Sequence, residues 1–137
     1  MTTVRDALMA LRTTLTGVEK LSVSLGLSGQ INPPHAAIGL PRIGDFRQAF
    51  AGARMTLEPT ITLLTSSAFD EVGTLTMADY LAPTGPKSIY ERIEKNPTLG
   101  GVVERCQVTD FDPLGPEEYG AIGYFGGTFT LRIMARG

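Results

Sequence analysis

The chain is short of the groups on which most enzyme chemistry depends: among 137 residues it has one histidine, His35, and one cysteine, Cys106. A single cysteine excludes an internal disulfide and gives no support to a secreted setting. One histidine and one cysteine cannot supply the usual ligand set of a zinc site. His35 follows two prolines and reads as a loop residue, with nothing in the sequence to order it against a serine or thiol nucleophile. Cys106 alternates with Val108 on an apolar stretch and reads as a buried structural thiol.

Charge is sparse as well. Charged residues make up 19% of the chain, with a net charge of −2. A surface that grips duplex DNA without regard to sequence needs clustered Lys and Arg, and no such cluster is present. No apolar run is long enough to span a bilayer, and the N-terminal stretch is amphipathic, unlike a signal peptide.

Glycine-rich and acidic stretches fail the tests of their chemistry. Gly85-Pro86-Lys87-Ser88 lacks the adjacent Gly-Lys of a phosphate loop, and Tyr80 stands where its earlier glycine belongs. Gly120, Gly123 and Gly126 are spaced by three within a strand pattern, unlike a dinucleotide turn. Asp110, Asp112, Glu117 and Glu118 lack the spacing of a calcium loop. The expectation is no catalytic residues, no cofactor and no metal.

What is present is a single α+β domain over residues 1–137. Val4, Leu8, Leu11 and Leu15 repeat at helical spacing through Thr2–Thr16, with Thr3 and Asp6 as a capping box and Gly17 as the stop. Leu21, Val23, Leu25 and Leu27 alternate as a half-buried strand. Ser28 to His35 is a loop, and Ala36 to Leu40 a short strand closed by Pro41. Met55, Leu57, Pro59, Ile61 and Leu63 alternate through a longer strand, in which Pro59 marks an edge or bulge.

Ser66-Ser67 can cap the next helix, with Asp70 and Glu71 in its first turn and Phe69, Val72, Leu75, Ala78, Leu81 and Ala82 as its inward stripe. Pro83, Gly85 and Pro86 end it, and a second helix restarts with Pro86 in its first turn and Ile89, Tyr90 and Ile93 on its apolar face. Asn96-Pro97 stops that helix. After Gly100-Gly101, Val102 to Phe111 reads as a strand, Asp112 to Glu118 as an acidic loop, and a final strand from Tyr119 alternates through Phe125, Phe129, Leu131, Ile133 and Ala135. The order is α-β-β-β-α-α-β-β: one mixed or mostly antiparallel sheet, helices packed on it, the last two strands antiparallel neighbours.

Several of these stretches, taken together, resemble the tail terminator (tail-to-head joining) proteins of long-tailed bacteriophages. The likeness is carried by Tyr80-Leu81-Ala82-Pro83 with Gly85-Pro86 and Ser88, then by Pro97-Thr98-Leu99-Gly100-Gly101-Val102-Val103. Asn32-Pro33-Pro34 leading into Ala37-Ile38-Gly39-Leu40-Pro41 agrees with it, as does Tyr124-Phe125-Gly126-Gly127 opening the last strand. The matches span about two thirds of the chain in the expected order. Each piece is turn punctuation plus core residues, so their order and spacing carry the likeness.

The resemblance implies a structural protein of the virion: a homohexameric ring on the head-proximal end of the tail tube. Such a ring halts tube polymerisation and offers a docking face to the head connector. DNA would pass through its channel without being bound, which suits a mildly acidic chain. The contact surfaces expected for a subunit or the tail tube are Asp45, Phe46, Arg47, Phe50 and Arg54, in a loop from Arg42 to Arg54 that combines phenylalanine and arginine as interfaces do. The opposing reading of that segment has both rings folded back into the core. The loop bearing Asp112, Glu117 and Glu118 is a second candidate. Two alternatives remain at this level: a related neck or head-completion connector, and a small ligand-binding or enzymatic domain.

Overall fold

The computed structural model describes residues 3–26, 34–43, 54–66, 71–119 and 122–136. Helix α1 (Val4–Leu15) starts where its chemistry says it should. The Thr3 hydroxyl accepts from the Asp6 amide and the Asp6 carboxylate accepts from the Thr3 amide, both at 3.1 Å. These bonds to Thr3 hold the Asp6 carboxyl below its ordinary range. Ala7, Leu11 and Leu15 are buried against the sheet.

The sheet is mixed and six-stranded. Strand β1 (Ser22–Leu25) runs parallel to β2 (His35–Ile38), which pairs antiparallel with β4 (Thr60–Ser66). Strand β6 (Ile122–Arg136) lies antiparallel to β4 on one side and to β5 (Arg105–Tyr119) on the other. Strand β3 (Arg54–Leu57) also pairs with β6. It lies end to end with β4 in one unbroken register, since Leu57 faces Ile133 and Thr60 faces Thr130. The alternation of Met55 to Leu63 thus traces a single line interrupted at Glu58-Pro59. Proline has no amide to donate, but its carbonyl still accepts from Leu131 at 3.0 Å, so the ladder survives the break.

Among the described residues, helices α2 (Glu71–Tyr80) and α3 (Ile89–Glu94) join α1 in the helix layer. The core lies between the helices and one sheet face, where Ile38, Ile61, Phe129, Leu131, Ile133 and Ala135 meet Leu11, Leu15, Tyr80, Ile89 and Ile93. The alternation in the final strand is therefore real: Arg132 between those residues is exposed.

Several expectations are corrected. Strand β1 stops at Leu25, whose side chain is exposed, and Leu27 lies outside the described residues. Strand β2 begins at His35 and ends at Ile38, leaving Leu40 84% exposed. Ser66 belongs to β4 and cannot cap α2, while Ser67, Phe69 and Asp70 lie outside the described residues. In α2 the inward residues are Met77 and Tyr80, while Leu75 and Ala78 face outward. Apolar residues surround this helix on every side, so periodicity does not choose the buried face.

The α3 cap is Ser88, whose hydroxyl accepts from the Glu91 amide at 3.0 Å, and Pro86 stands before it in the turn. Strand β5 opens at Arg105, because the turn through Leu99, Gly100 and Gly101, all at positive φ, continues to Val103. The acidic segment from Asp112 to Glu118 is strand: Asp112 faces Thr128, Glu117 faces Tyr124 and Glu118 faces Gly123. Its prolines are tolerated because β5 is an edge strand, and register shifts at Val108/Asp110 and Pro113/Gly115 absorb the irregularity.

Candidate functional site

The segment from Tyr80 to Val103 folds into one cross-braced corner. The Tyr80 hydroxyl donates to the Glu19 carbonyl at 3.2 Å, and the Glu19 amide donates to the Pro86 carbonyl at 3.0 Å. Burial, with Glu19 nearby, pushes the Tyr80 phenol above its ordinary value. The Ser88 hydroxyl donates to the Ala82 carbonyl, and the Gly85 amide to the Glu91 carboxylate. Glu91 also meets Lys95 at 2.6 Å, and its hydrogen bonds to Lys95 and Gly85 hold its carboxyl below the usual range. Arg92 Nε donates to the Thr14 carbonyl at 2.9 Å, tying α3 to the last turn of α1. The Cys106 amide closes the corner on the Pro97 carbonyl at 2.6 Å.

Beside this corner the described helices leave part of the sheet uncovered. The result is a groove of about 400 Å³, lined by Leu81 and Pro83 from the turn, Tyr90 from α3, Val108 to Phe111 from β5, and Phe129. Leu81 is 37% exposed and Tyr90 43% exposed. Leu75, six residues back on α2, is 58% exposed. Tyr90 is therefore not on the buried face of α3, which consists of Ile89 and Ile93.

The floor of the groove is the Phe111–Phe129 pair, ring centroids 4.8 Å apart and inclined by 57°. Gly127 makes room for it. A Cβ there would overlap the Phe111 ring and press on Met77 Sδ. Among the lining residues Asp110 alone carries a charge. An apolar concavity with one acidic group can receive an apolar side chain and an adjacent cation.

Of the residues expected to make contacts, Asp45, Phe46, Arg47 and Phe50 lie outside the described residues. Arg54 opens β3 opposite Arg136 and is part of the sheet, not of a loop. Asp112 is exposed on β5, and Glu117 and Glu118 continue the same strand towards the hairpin end. The sequence pattern hides the groove, because helical spacing puts Leu81 and Tyr90 on the inward faces. The available signal was the surplus of apolar residues around α2.

His35 is the other surprise. It is 5% exposed in β2, and its Nε2 lies 2.8 Å from the Ser24 hydroxyl. Ser24 gives its single proton to the Gly26 carbonyl at 2.7 Å. Nε2 must then be the donor to Ser24, which leaves buried Nδ1 as a lone pair with no partner among the described residues. In that tautomer the imidazole cannot take a proton from Ser24, so the pair is not a nucleophile with its base. Desolvation holds the His35 pKa below its ordinary value. Burial pushes the Cys106 thiol up to about 12, which makes it an inert core residue. Among the described residues no group of three or more His, Cys, Asp or Glu side chains is gathered to hold a metal, and no helix is long and apolar enough to cross a membrane.

No protein-family model matches the chain, and comparison with curated proteins finds no match.

Proposed function

We propose that this chain is a structural assembly protein, a ring-forming tail terminator that caps the head-proximal end of a phage tail tube. In that role it stops tube growth and presents a face to the head connector, with DNA passing through the channel unbound. The reading rests on one observation above others. The residues that carry the family likeness, from Tyr80 to Val103, form a single braced corner, with Tyr80, Ser88, Leu99 and Val103 all buried. Their spacing thus has a structural cause within this chain, which supports the reading.

The groove beside the corner is a contact surface of the kind an assembling subunit needs. The net charge of −2 suits a channel that lets DNA slide. The test is direct. Purified protein added to polymerising tail-tube subunits should give tubes of limited length, each with a ring at one end by electron microscopy. Tubes that grow unchanged, with no density at their ends, would refute the reading.

A further inference from the structure

The most exposed large apolar side chain among the described residues is Leu40, at 84%. It does not hang on a loose loop. Immediately before it the Gly39 amide donates to the Thr60 carbonyl at 2.8 Å, and two residues later Arg42 exchanges backbone hydrogen bonds with Glu58 at 2.9 and 3.0 Å. Pro41 stiffens the chain between them. The Arg42 guanidinium is 3.7 Å from the Glu58 carboxylate, but most of its side chain faces solvent. Leu40-Pro41-Arg42 is thus a preformed apolar knob with a cation beside it, and ordering it would cost little on binding.

The groove has the complementary character: an apolar floor of Phe111 and Phe129, walls of Leu81 and Tyr90, and Asp110 as its one charged lining residue. The other exposed apolar side chains fit it less well. Met9 lies along α1 and Leu25 within β1, so neither stands out as a corner.

Register places the knob and the groove on opposite flanks of the sheet. Ile38 faces Ile61, Ile61 faces Phe129, and Phe129 faces Phe111. Three strand spacings, about 14 Å, therefore separate the end of β2 from the groove floor. One copy cannot satisfy its own groove, but a neighbour can.

We propose that the groove receives the Leu40-Pro41-Arg42 corner of a second copy, with Leu40 against Phe111 and Tyr90 and Arg42 paired to Asp110. The contact joins two different patches, so it is heterologous and repeats from copy to copy until a ring closes. This rests on the assembly reading above and names the surfaces it would use.

The test uses single-cysteine additions and charge reversals in the full chain. Arg42→Cys and Asp110→Cys proteins, mixed and treated with a short bis-maleimide, should give a covalent dimer that neither yields alone; native Cys106 is buried and does not compete. By light scattering, Arg42→Asp and Asp110→Arg should each lower the assembled mass, and combining both changes in one chain should restore it. Leu40→Ala should weaken association roughly thirtyfold, as loss of a well-seated anchor does. Wild-type assemblies that persist through every substitution, with no cross-link on mixing, would overturn this contact and leave the assembly reading standing. A wild-type protein that stays monomeric at all concentrations and gives no cross-link would overturn both.

Discussion

The Ser24 hydroxyl is shared between the Gly26 carbonyl, to which it donates at 2.7 Å, and His35 Nε2, from which it accepts at 2.8 Å. The pair bolts the edge strand β1 to β2 through side chains as well as backbone. It also determines which protonation state of His35 the fold accepts.

Protonating His35 would place a charge and a new N–H at Nδ1, where the described structure offers no acceptor. Desolvation by burial depresses the folded pKa from 6.5. Above the unfolded value both states are neutral and stability is at its full level; below it the unfolded chain binds the proton first, so stability falls. Because His35 is the one histidine, a decline between about pH 6.5 and 5, ahead of carboxylate titration, is assigned to it. Denaturant titrations across that range should show the decline in wild type and its loss in His35→Gln, and under the proposed assembly role His35→Gln should assemble normally at neutral pH.

Gly127 and Phe111 form a coupled pair. Gly127→Ala should cost about 1–3 kcal/mol, the usual penalty for overfilling a packed site. Adding Phe111→Leu should recover part of that loss, so the two changes will not be additive in a double-mutant cycle read by denaturant midpoint. Strict additivity would mean that the ring does not rest on the glycine.

Cys106 should be silent until the protein unfolds. With its pKa pushed to about 12, the thiol should not react with an aromatic disulfide reagent at pH 8 in the native protein. It should react promptly in denaturant. Cys106→Ser should lower stability by about 1 kcal/mol or more, for burying a hydroxyl in place of a thiol, and leave assembly intact.

The pair Phe46 and Phe50 divides two readings of the segment around them. If the proposed capping role holds and both rings are contact anchors, Phe46→Ala with Phe50→Ala should give a folded, soluble protein that fails to cap tail tubes, each lost anchor costing about 2 kcal/mol. If the rings are core, the double variant will instead have a strongly lowered melting transition. A folded variant that caps normally would exclude both.

Local chemistry made part of this fold legible. Thr3 and Asp6 announce α1, and the alternation from Phe129 to Ala135 announces the central strand, because in each case the signal lies within the element itself. The misreadings arise where the deciding partner is distant in sequence. Asp112 to Glu118 has the composition of a loop, and only pairing with β6 makes it strand. His35 follows two prolines, yet pairing with both Ser22 and Leu64 places it inside the sheet. Met77 and Tyr80 won the inward face of α2 from Leu75 and Ala78 through partners at Gly127 and Glu19, which no periodicity encodes. The groove was hidden by that same inversion.

Strand β6 is the common partner of β3, β4 and β5, and it comes last among the described elements. During synthesis β3 and β4 emerge with one long side unpaired, and they remain so until residues 122–136 have left the ribosome. The sheet therefore cannot be completed from its first half, and the folding barrier is dominated by contacts distant along the chain. The exposed strand flank in that interval is a hazard for aggregation between nascent chains. The proline at position 59, which breaks the flank into two short pieces, shortens the edge on which such a mispairing could grow.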